Sequence, residues 1–274
     1  MLSAAKPTPA IAATMTIQPQ QITHYQHQGY LAIPDGVAPA TELPMLREIY
    51  DRLFADRAGK DKGHHFALFG NEGRPDQPVV HQLLGPEFYA PELKHTVAWA
   101  NARAILTAIL GAEPVGMGGH AICKPPGSPL ATPWHQDESY WDSNSYSMSA
   151  SIWIPLQDVD DSSGCMQFIP GSHLGEILPH RPTNDDPRAQ GLELAPGNWD
   201  LSNAISCPLR GGGCTVHGGK MLHYTGPNLA AVPRRAWVIM GSVEAPKRLI
   251  PAERPWIARM RAARALAAKD AKKF

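Results

Sequence analysis

The sequence predicts a mainly β fold with flanking helices, of the closed antiparallel sandwich or jelly-roll type. From residue 115 onwards, short runs of strand-forming residues alternate with Gly, Pro, Asn and Asp. Upstream of that point, two segments carry apolar residues at helical spacing. The chain has 274 residues and no internal repeat, so one large domain can bury its own core. Seven or eight short strands in such a domain favour a closed β architecture.

The first helices are predicted in the N-terminal third. Residues 16–27 predict a short helix that ends before Gly29, and residues 30–33 predict a strand. Residues 41–57 predict an amphipathic helix capped by Thr41. Its apolar positions fall at helical spacing and are Leu43, Leu46, Ile49, Tyr50, Leu53 and Phe54.

Two segments without strands come next. Residues 59–80 hold several Gly, Pro and His without periodicity, which indicates a long loop that could cover a site. Residues 91–110 predict a second long helix, ended by Gly111. Together with the first helices, these segments precede the strand-rich region.

The strand-rich region divides into short segments. The predicted strands are residues 117–123, 147–156, 165–169, 206–210, 214–217, 221–224 and 236–244. Residues 173–203 are too polar and broken for a strand, and we interpret them as an insertion across the barrel mouth. Residues 255–274, rich in Ala, Arg and Lys, predict a surface helix with Pro255 in its first turn. The predicted organisation is therefore a disordered tail (1–15), a single domain (16–250) and a C-terminal helix (251–274).

Composition narrows the class of function. Lys plus Arg equals Asp plus Glu, at 25 each, so the chain has no net positive field for nucleic acid or an anionic membrane. No apolar run approaches the ~18 residues that a bilayer-spanning helix needs. We expect a small-molecule partner, with no nucleic acid and no membrane, while the oligomeric state stays open.

The cysteines and the N-terminal residues indicate the cellular compartment of the protein. Four cysteines are too few and too scattered for a disulfide scaffold, and none forms a Cys-x-x-Cys pair. Residues 1–15 lack both the charged and apolar regions of a signal peptide and the Arg-rich pattern of a transit peptide. Reduced thiols in a cytoplasmic protein are the expectation.

The tripeptide His135-Gln136-Asp137 is the strongest functional signal. On an extended segment, residues two apart project to the same side, so His135 and Asp137 can reach one ion. A distant histidine would complete a two-His, one-carboxylate face, the set suited to non-haem Fe(II) with open positions for substrate and oxygen. His223 is the favoured third ligand. His217 lies in the same Gly-rich stretch and is the alternative; otherwise it packs behind the site.

Four segments in order resemble the phytanoyl-CoA dioxygenase family. They are residues 135–137 (HQD), 151–156 (SIWIPL), 164–173 (GCMQFIPGSH) and 223–228 (HYTGPN), the last followed by Arg234-Arg235-Ala236. The resemblance covers roughly residues 16–245 and implies a double-stranded β-helix. It also implies an Fe(II)- and 2-oxoglutarate-dependent oxygenase that uses O2, with His135, Asp137 and His223 as iron ligands.

The resemblance further implies the residues that hold 2-oxoglutarate. Arg234, two residues before Ala236, would bind the far carboxylate, and a guanidinium suits that role because it stays charged and binds carboxylates bidentately. Arg235 is the competitor, since neighbours on a strand face opposite sides. Further cosubstrate contacts are implied for Gln136, Trp153, Thr225 and His120, although another residue type is expected at His120.

The residues after the ligand pair complete the set of candidates. Glu138, Tyr140 and Trp141 follow Asp137 directly, where the family often contacts substrate, so a substrate role is predicted for them.

The implied reaction is hydroxylation of an unactivated C–H bond in a metabolite. Asp137 fills the coordination position that related halogenases leave for chloride. Desaturation, cyclisation or epimerisation are alternatives with the same ligands, because they differ in how the substrate is held. A non-oxidative cupin-like binding barrel and a zinc hydrolase are alternatives of other classes. Neutral net charge gives no support for a coenzyme A thioester, whose phosphates call for a basic approach.

Overall fold

A computed structural model describes residues 11–71, 78–141, 147–186, 189–244 and 254–270. Within those ranges, none of the helices combines the length and the apolar character needed to cross a bilayer. The residues that were expected to form a disordered tail lie partly inside the described ranges. Of these, Thr14 and Met15 donate backbone hydrogen bonds of 2.7 and 3.1 Å to the Asn101 side chain, so residues 11–15 follow the protein surface instead of trailing free.

Five α-helices flank the sheets in the part of the chain that the structure describes. They are α1 (Pro19–Gln28), α2 (Leu43–Ala55), α3 (Pro86–Tyr89), α4 (Val97–Leu110) and α5 (Pro255–Asp270). The predicted apolar stripe of α2 is confirmed, since five of its six residues are buried in the core. Thr41 does not cap this helix; Glu42 occupies the cap position without a side-chain cap. The Glu42 carboxylate instead accepts hydrogen bonds from the first two amides of α4, at 2.7 and 3.1 Å.

The helix predicted over residues 91–110 is divided in two. A 3-10 segment, Pro91–His95, precedes α4, and Thr96 between them is extended with φ of −113°. The Thr96 hydroxyl accepts a hydrogen bond from the Trp99 amide at 3.1 Å. A threonine is a preferred N-cap because its oxygen satisfies an amide that has no helical partner. Gly111 ends α4 at a φ of 74°, as its sequence position predicted.

Thirteen strands are present among the described residues. They are β1 (Tyr30–Ile33), β2 (His65–Ala67), β3 (His81–Leu84), β4 (Gly116–Lys124), β5 (Thr132–His135), β6 (Ser147–Pro155), β7 (Met166–Phe168), β8 (His180–Pro182), β9 (Leu192–Leu194), β10 (Ile205–Cys207), β11 (Cys214–Gly218), β12 (His223–Thr225) and β13 (Arg234–Glu244). The seven-stranded major sheet has the order β1-β11-β6-β13-β4-β3-β2, and the four-stranded minor sheet has the order β10-β7-β12-β5. All strand pairings within the described residues are antiparallel, and the two facing sheets form the predicted double-stranded β-helix.

Side chains on the strands of the major sheet alternate between its two faces, and each face packs into a separate core. One face of β6 and β13, including Ile152, Ile154 and Trp237, packs against α2 and α4. The opposite face, including Trp153 and Val238, points toward the minor sheet. Because side chains in a strand alternate between faces, β6 and β13 each contribute to both cores. The cavity described below lies between the sheets.

Several strands were missed from the sequence. The segment 59–80, predicted to be a loop, contains β2. The short strands β3 and β5 were also not predicted. The segment 173–203 was predicted to lack strands, which is wrong, because it contains the β8-β9 hairpin. These strands are only three or four residues long, so their alternation is too brief to stand out in the sequence. The C-terminal helix is confirmed, although Trp256 and Ile257 are buried and anchor it; residues 271–274 lie outside the described ranges.

Candidate metal and cosubstrate site

The two histidines of the site come from adjacent strands of the minor sheet. His135 ends β5 and His223 begins β12, and their Cα atoms are direct partners in the antiparallel register. Each Nδ1 lies close to a backbone carbonyl two residues upstream: Pro133 O at 2.7 Å and Met221 O at 2.8 Å. A carbonyl can only accept, so Nδ1 carries the proton and the Nε2 lone pair is left for a metal.

Asp137 completes the cluster. Its Oδ1 lies 3.8 Å from His135 Nε2 and 3.5 Å from His223 Nε2. One ligand atom from each of the three residues lies within 4.8 Å of the others, a spacing that can enclose a single ion. The second carboxylate oxygen, Oδ2, accepts a hydrogen bond of 3.0 Å from the Ser151 hydroxyl. Ser151 therefore orients the carboxylate so that Oδ1 faces the histidines.

The electrostatics of the cluster match those of metal ligands. Burial lowers the pKa of His135, and burial together with the neighbouring His135 and His217 holds the pKa of His223 well below 6.5. Burial alone would raise the pKa of Asp137, but His223, His217 and His135 outweigh it and keep that pKa well below 3.8. Neutral imidazoles and an ionised carboxylate are the protonation states that bind a divalent cation.

His217, the alternative distal ligand, occupies a different position. It lies on β11 opposite Ser151, with Nε2 at 3.3 Å from Asp137 Oδ2, the oxygen that faces away from the other two histidines. Neither of its ring nitrogens makes a well-aligned hydrogen bond within the described part of the chain. The three-residue metal cluster found among those residues contains His223 and not His217. The geometry therefore favours His223 as the third ligand, with His217 beside the carboxylate.

A cavity of about 250 Å³ opens at this cluster. Besides the three candidate ligands and His217, its lining includes six of the residues singled out in the sequence: His120, Tyr140, Trp141, Trp153, Thr225 and Arg234. The lining combines the polar side chains of the ligand cluster with apolar and aromatic side chains such as Phe66 and Phe69. His120 belongs to this lining as a neutral imidazole, because burial lowers its pKa to about 4.

Arg234, and not Arg235, faces the cavity. Its side chain is 1% exposed, and Nε and Nη1 have no hydrogen-bond partner among the described residues. The guanidinium carbon lies 5.4 Å from the centre of the Trp153 ring, so the aromatic face holds the cation in place. Arg235 points the other way and forms a two-point ion pair with Asp51, at 2.7 and 2.9 Å.

Two predicted contact residues have other partners. Gln136 lies outside the cavity lining, and its side chain bonds to the backbone of Glu176, Leu178 and Lys220 at 2.7 to 3.2 Å. It therefore ties the 173–203 insertion to the ligand strand, and its side chain does not line the cavity in which the predicted cosubstrate contact would be made. Glu138 also lies outside the lining, because its carboxylate accepts a hydrogen bond of 2.9 Å from Arg254.

The sequence missed one wall of the cavity. The lining includes Phe66, Leu68 and Phe69 around β2, Gln82 and Leu84 on β3, and Thr183, Gln190, Gly191 and Leu192 from the insertion. Both segments were predicted only to cover a site, without named residues. Ser151 had a usable signal, since it stands two residues before Trp153 on one strand and therefore shares its face.

The residues fit an iron ion and 2-oxoglutarate. The donor set of two imidazoles and one carboxylate on one side leaves other coordination positions facing the cavity. A buried guanidinium with unpartnered N–H groups lines the same cavity and calls for an anion. A zinc hydrolase or a simple binding barrel has no need for this second feature.

Comparison with known proteins agrees with this geometry. The family model for phytanoyl-CoA dioxygenase matches residues 25–236. A probable alpha-ketoglutarate-dependent hypophosphite dioxygenase of Stutzerimonas stutzeri is 22% identical over 238 residues, which is 81% of either chain. The crystal structure of EvdO2 from Micromonospora carbonacea var. aurantiaca complexed with 2-oxoglutarate is 32% identical, with a TM-score of 0.75 over 90% of this chain and 99% of that one.

A more distant structure shares the fold. The epimerase SnoN, solved with Fe3+, alpha-ketoglutarate and nogalamycin RO, is 21% identical, with a TM-score of 0.62 over 84% of this chain and 85% of that one. The segment matched by the family model, residues 25–236, includes all three candidate ligands and Arg234. The chain therefore belongs to the phytanoyl-CoA dioxygenase family, and it is an Fe(II)- and 2-oxoglutarate-dependent oxygenase.

Proposed function

We propose that this enzyme hydroxylates an unactivated C–H bond of a small, uncharged metabolite, with release of succinate and CO2. The observation that carries the proposal is the buried Arg234 guanidinium, whose Nε and Nη1 are unpartnered, in the same cavity as His135, Asp137 and His223. Bound Fe(II), with 2-oxoglutarate and O2, supplies the oxidising power for the C–H bond.

In this proposal, the chain's own residues bind and orient the metal ion and 2-oxoglutarate. His135, Asp137 and His223 would hold the ion through Nε2, Oδ1 and Nε2, with each histidine fixed by a backbone carbonyl. Arg234 would pair with the far carboxylate of 2-oxoglutarate and so direct the keto acid end toward the ion. Burial lowers the pKa of Arg234 only to about 10, so the guanidinium remains charged at neutral pH.

The other wall of the cavity supports an uncharged substrate. Among the described lining residues, Asp137 and Arg234 are the only Asp, Glu, Lys or Arg side chains. Tyr140 and Trp141, for which a substrate role is predicted, offer aromatic surface, and Gln82 and Gln190 offer neutral polar groups. The several phosphates of a coenzyme A thioester would need cations that this lining does not provide.

Other oxidative outcomes depend on how the substrate lies against the ion. Desaturation, cyclisation or epimerisation would use the same ligands, and the structurally similar SnoN is named an epimerase. Product mass separates these outcomes. Hydroxylation adds an oxygen atom, desaturation and cyclisation remove two hydrogens, and epimerisation leaves the mass unchanged.

The first experiment measures turnover of the cosubstrate. We expect aerobic incubation of the purified protein with Fe(II), ascorbate and 2-oxoglutarate to form succinate, and candidate uncharged substrates to increase the rate. Asp137→Ala should form none, because two histidines alone do not retain the ion. Absence of succinate from the wild-type protein, or equal rates in the Asp137→Ala variant, would refute the proposal.

A further inference from the structure

A second buried cation lies behind the site and has no role in the proposal so far. Lys124 ends β4 and its side chain is fully buried. Its Nζ donates hydrogen bonds to Thr225 O at 3.1 Å, Thr225 Oγ1 at 3.0 Å and Gly226 O at 2.6 Å. An ammonium has three N–H bonds, so these three oxygens satisfy all of them. Within the described residues, none of its hydrogen-bond partners is a carboxylate.

Lys124 and Arg234 form a pair of cations. Their Cα atoms are direct partners in the β4-β13 register, so both side chains leave the same face of the major sheet. Burial, and then the charge of Arg234, hold the pKa of Lys124 well below 10.5. Two adjacent buried cations without a protein anion are costly unless a ligand supplies negative charge. A carboxylate placed in the cavity beside Arg234 would stabilise both.

The contact with Thr225 has a directional consequence. The Thr225 hydroxyl accepts a hydrogen bond from the Lys124 ammonium, so its own proton must point elsewhere. Thr225 also lines the cavity. The hydroxyl proton is therefore free to point into the cavity, and donating it there is the role that a bound carboxylate would require.

We propose that Lys124 is a positioning residue of the cosubstrate site, which holds the Thr225 hydroxyl as a donor toward the far carboxylate of 2-oxoglutarate and places a second positive charge behind it. The inference rests on the proposed pairing of that carboxylate with Arg234. Lys124 itself does not line the cavity, so it would act on the ligand only through Thr225. A purely structural role, tying β4 to β12, is the competing explanation.

The test separates the two roles by comparing two ligands. Dissociation constants are measured by calorimetry on the Fe(II)-loaded protein without oxygen, for 2-oxoglutarate and for 2-oxopentanoate. Both ligands carry the keto acid end, but only the first has the far carboxylate. The measured quantity is the preference, which is the ratio of the two constants.

We expect Lys124→Met to reduce the preference for 2-oxoglutarate by about tenfold or more, as for loss of a charge-assisted hydrogen bond. Thr225→Val should reduce it similarly, and Lys124→Met should have a smaller effect in the Thr225→Val background. Arg235→Met is the matched control, because it removes a cation that is paired with Asp51 outside the cavity. It should leave the preference unchanged.

Other outcomes overturn the inference. If Lys124→Met keeps the wild-type preference, or weakens both ligands equally, the role of Lys124 is structural. Should that variant fail to fold, Thr225→Val decides, because retention of the preference without the hydroxyl also refutes the inference. If the wild-type protein shows no preference at all, the proposed pairing with Arg234 fails instead.

Discussion

Replacement of Arg234 by methionine should change stability and ligand binding in opposite directions. In the ligand-free protein the guanidinium is 1% exposed, and two of its nitrogens have no hydrogen-bond partner among the described residues. Removing an uncompensated buried charge relieves a desolvation penalty, so we expect the ligand-free Arg234→Met protein to be at least as stable as the wild type. The same change should remove the main anchor for 2-oxoglutarate.

The magnitude follows from the loss of one partner of a buried charge pair. Such truncations cost about 2–5 kcal/mol, which weakens binding by roughly 30-fold to several thousand-fold. At a ligand concentration of 100 times its Kd, wild-type binding stabilises the fold by about 2.7 kcal/mol. For a chain of this size that corresponds to a rise in Tm of roughly 5 °C. In Arg234→Met, the same concentration should raise Tm by about 2 °C or less.

The assay is thermal unfolding of the Fe(II)-loaded protein without oxygen, with and without 2-oxoglutarate. Arg235→Met is the control. Arg235 pairs with Asp51, whose side chain is 58% exposed, and such exposed ion pairs contribute little to stability. It should keep the wild-type rise in Tm. An Arg234→Met protein that retains the full rise would show that the far carboxylate binds elsewhere.

Three further predictions concern the metal ligands, pH and the C-terminal helix. His223→Ala should abolish Fe(II) binding in calorimetry, whereas His217→Ala should retain it; the reverse result would reassign the distal ligand. Three histidines have a pKa lowered to about 4, in each case mainly by desolvation: His65, His120 and His180. Between about pH 6.5 and 4 these imidazoles are protonated in the unfolded chain but remain neutral in the folded protein. The free energy of unfolding of the metal-free protein should therefore fall as the pH drops through that range. Denaturant titrations that show no change in this free energy across the range would contradict the prediction. Arg254→Ala should lower Tm, because its guanidinium donates to Glu138 Oε1 at 2.9 Å and to Trp141 O at 3.0 Å, while the exposed Arg259→Ala should not. Equal Tm values for these two variants would show that α5 does not support the cavity wall.

Part of the site could be predicted because its information is local. His135 and Asp137 are two residues apart, so backbone geometry alone places them on one side of an extended segment. Short-range periodicity likewise predicted the buried stripe of α2, and the position of Gly111 predicted the end of α4. The order of four family-like segments extended this local information to His223 and Arg234.

Gln136 shows where that reasoning stops. It stands between two ligands, and the resemblance implied a cosubstrate contact. In the fold, its amide instead meets the backbone of Glu176, Leu178 and Lys220, which are remote in sequence. Such partners depend on where the insertion returns to the barrel, and no pattern within either segment records that.

The sequence by itself determined most of the helices, the long strands, the types of candidate ligand and the absence of a charge excess. Only the tertiary structure decided which of Arg234 and Arg235 faces the cavity, because alternation requires opposite faces without saying which face is inside. It also placed Lys124 behind Thr225, through an antiparallel register between distant strands. Pairing between strands is a long-range property, and the chemistry of this cavity resides in those pairings.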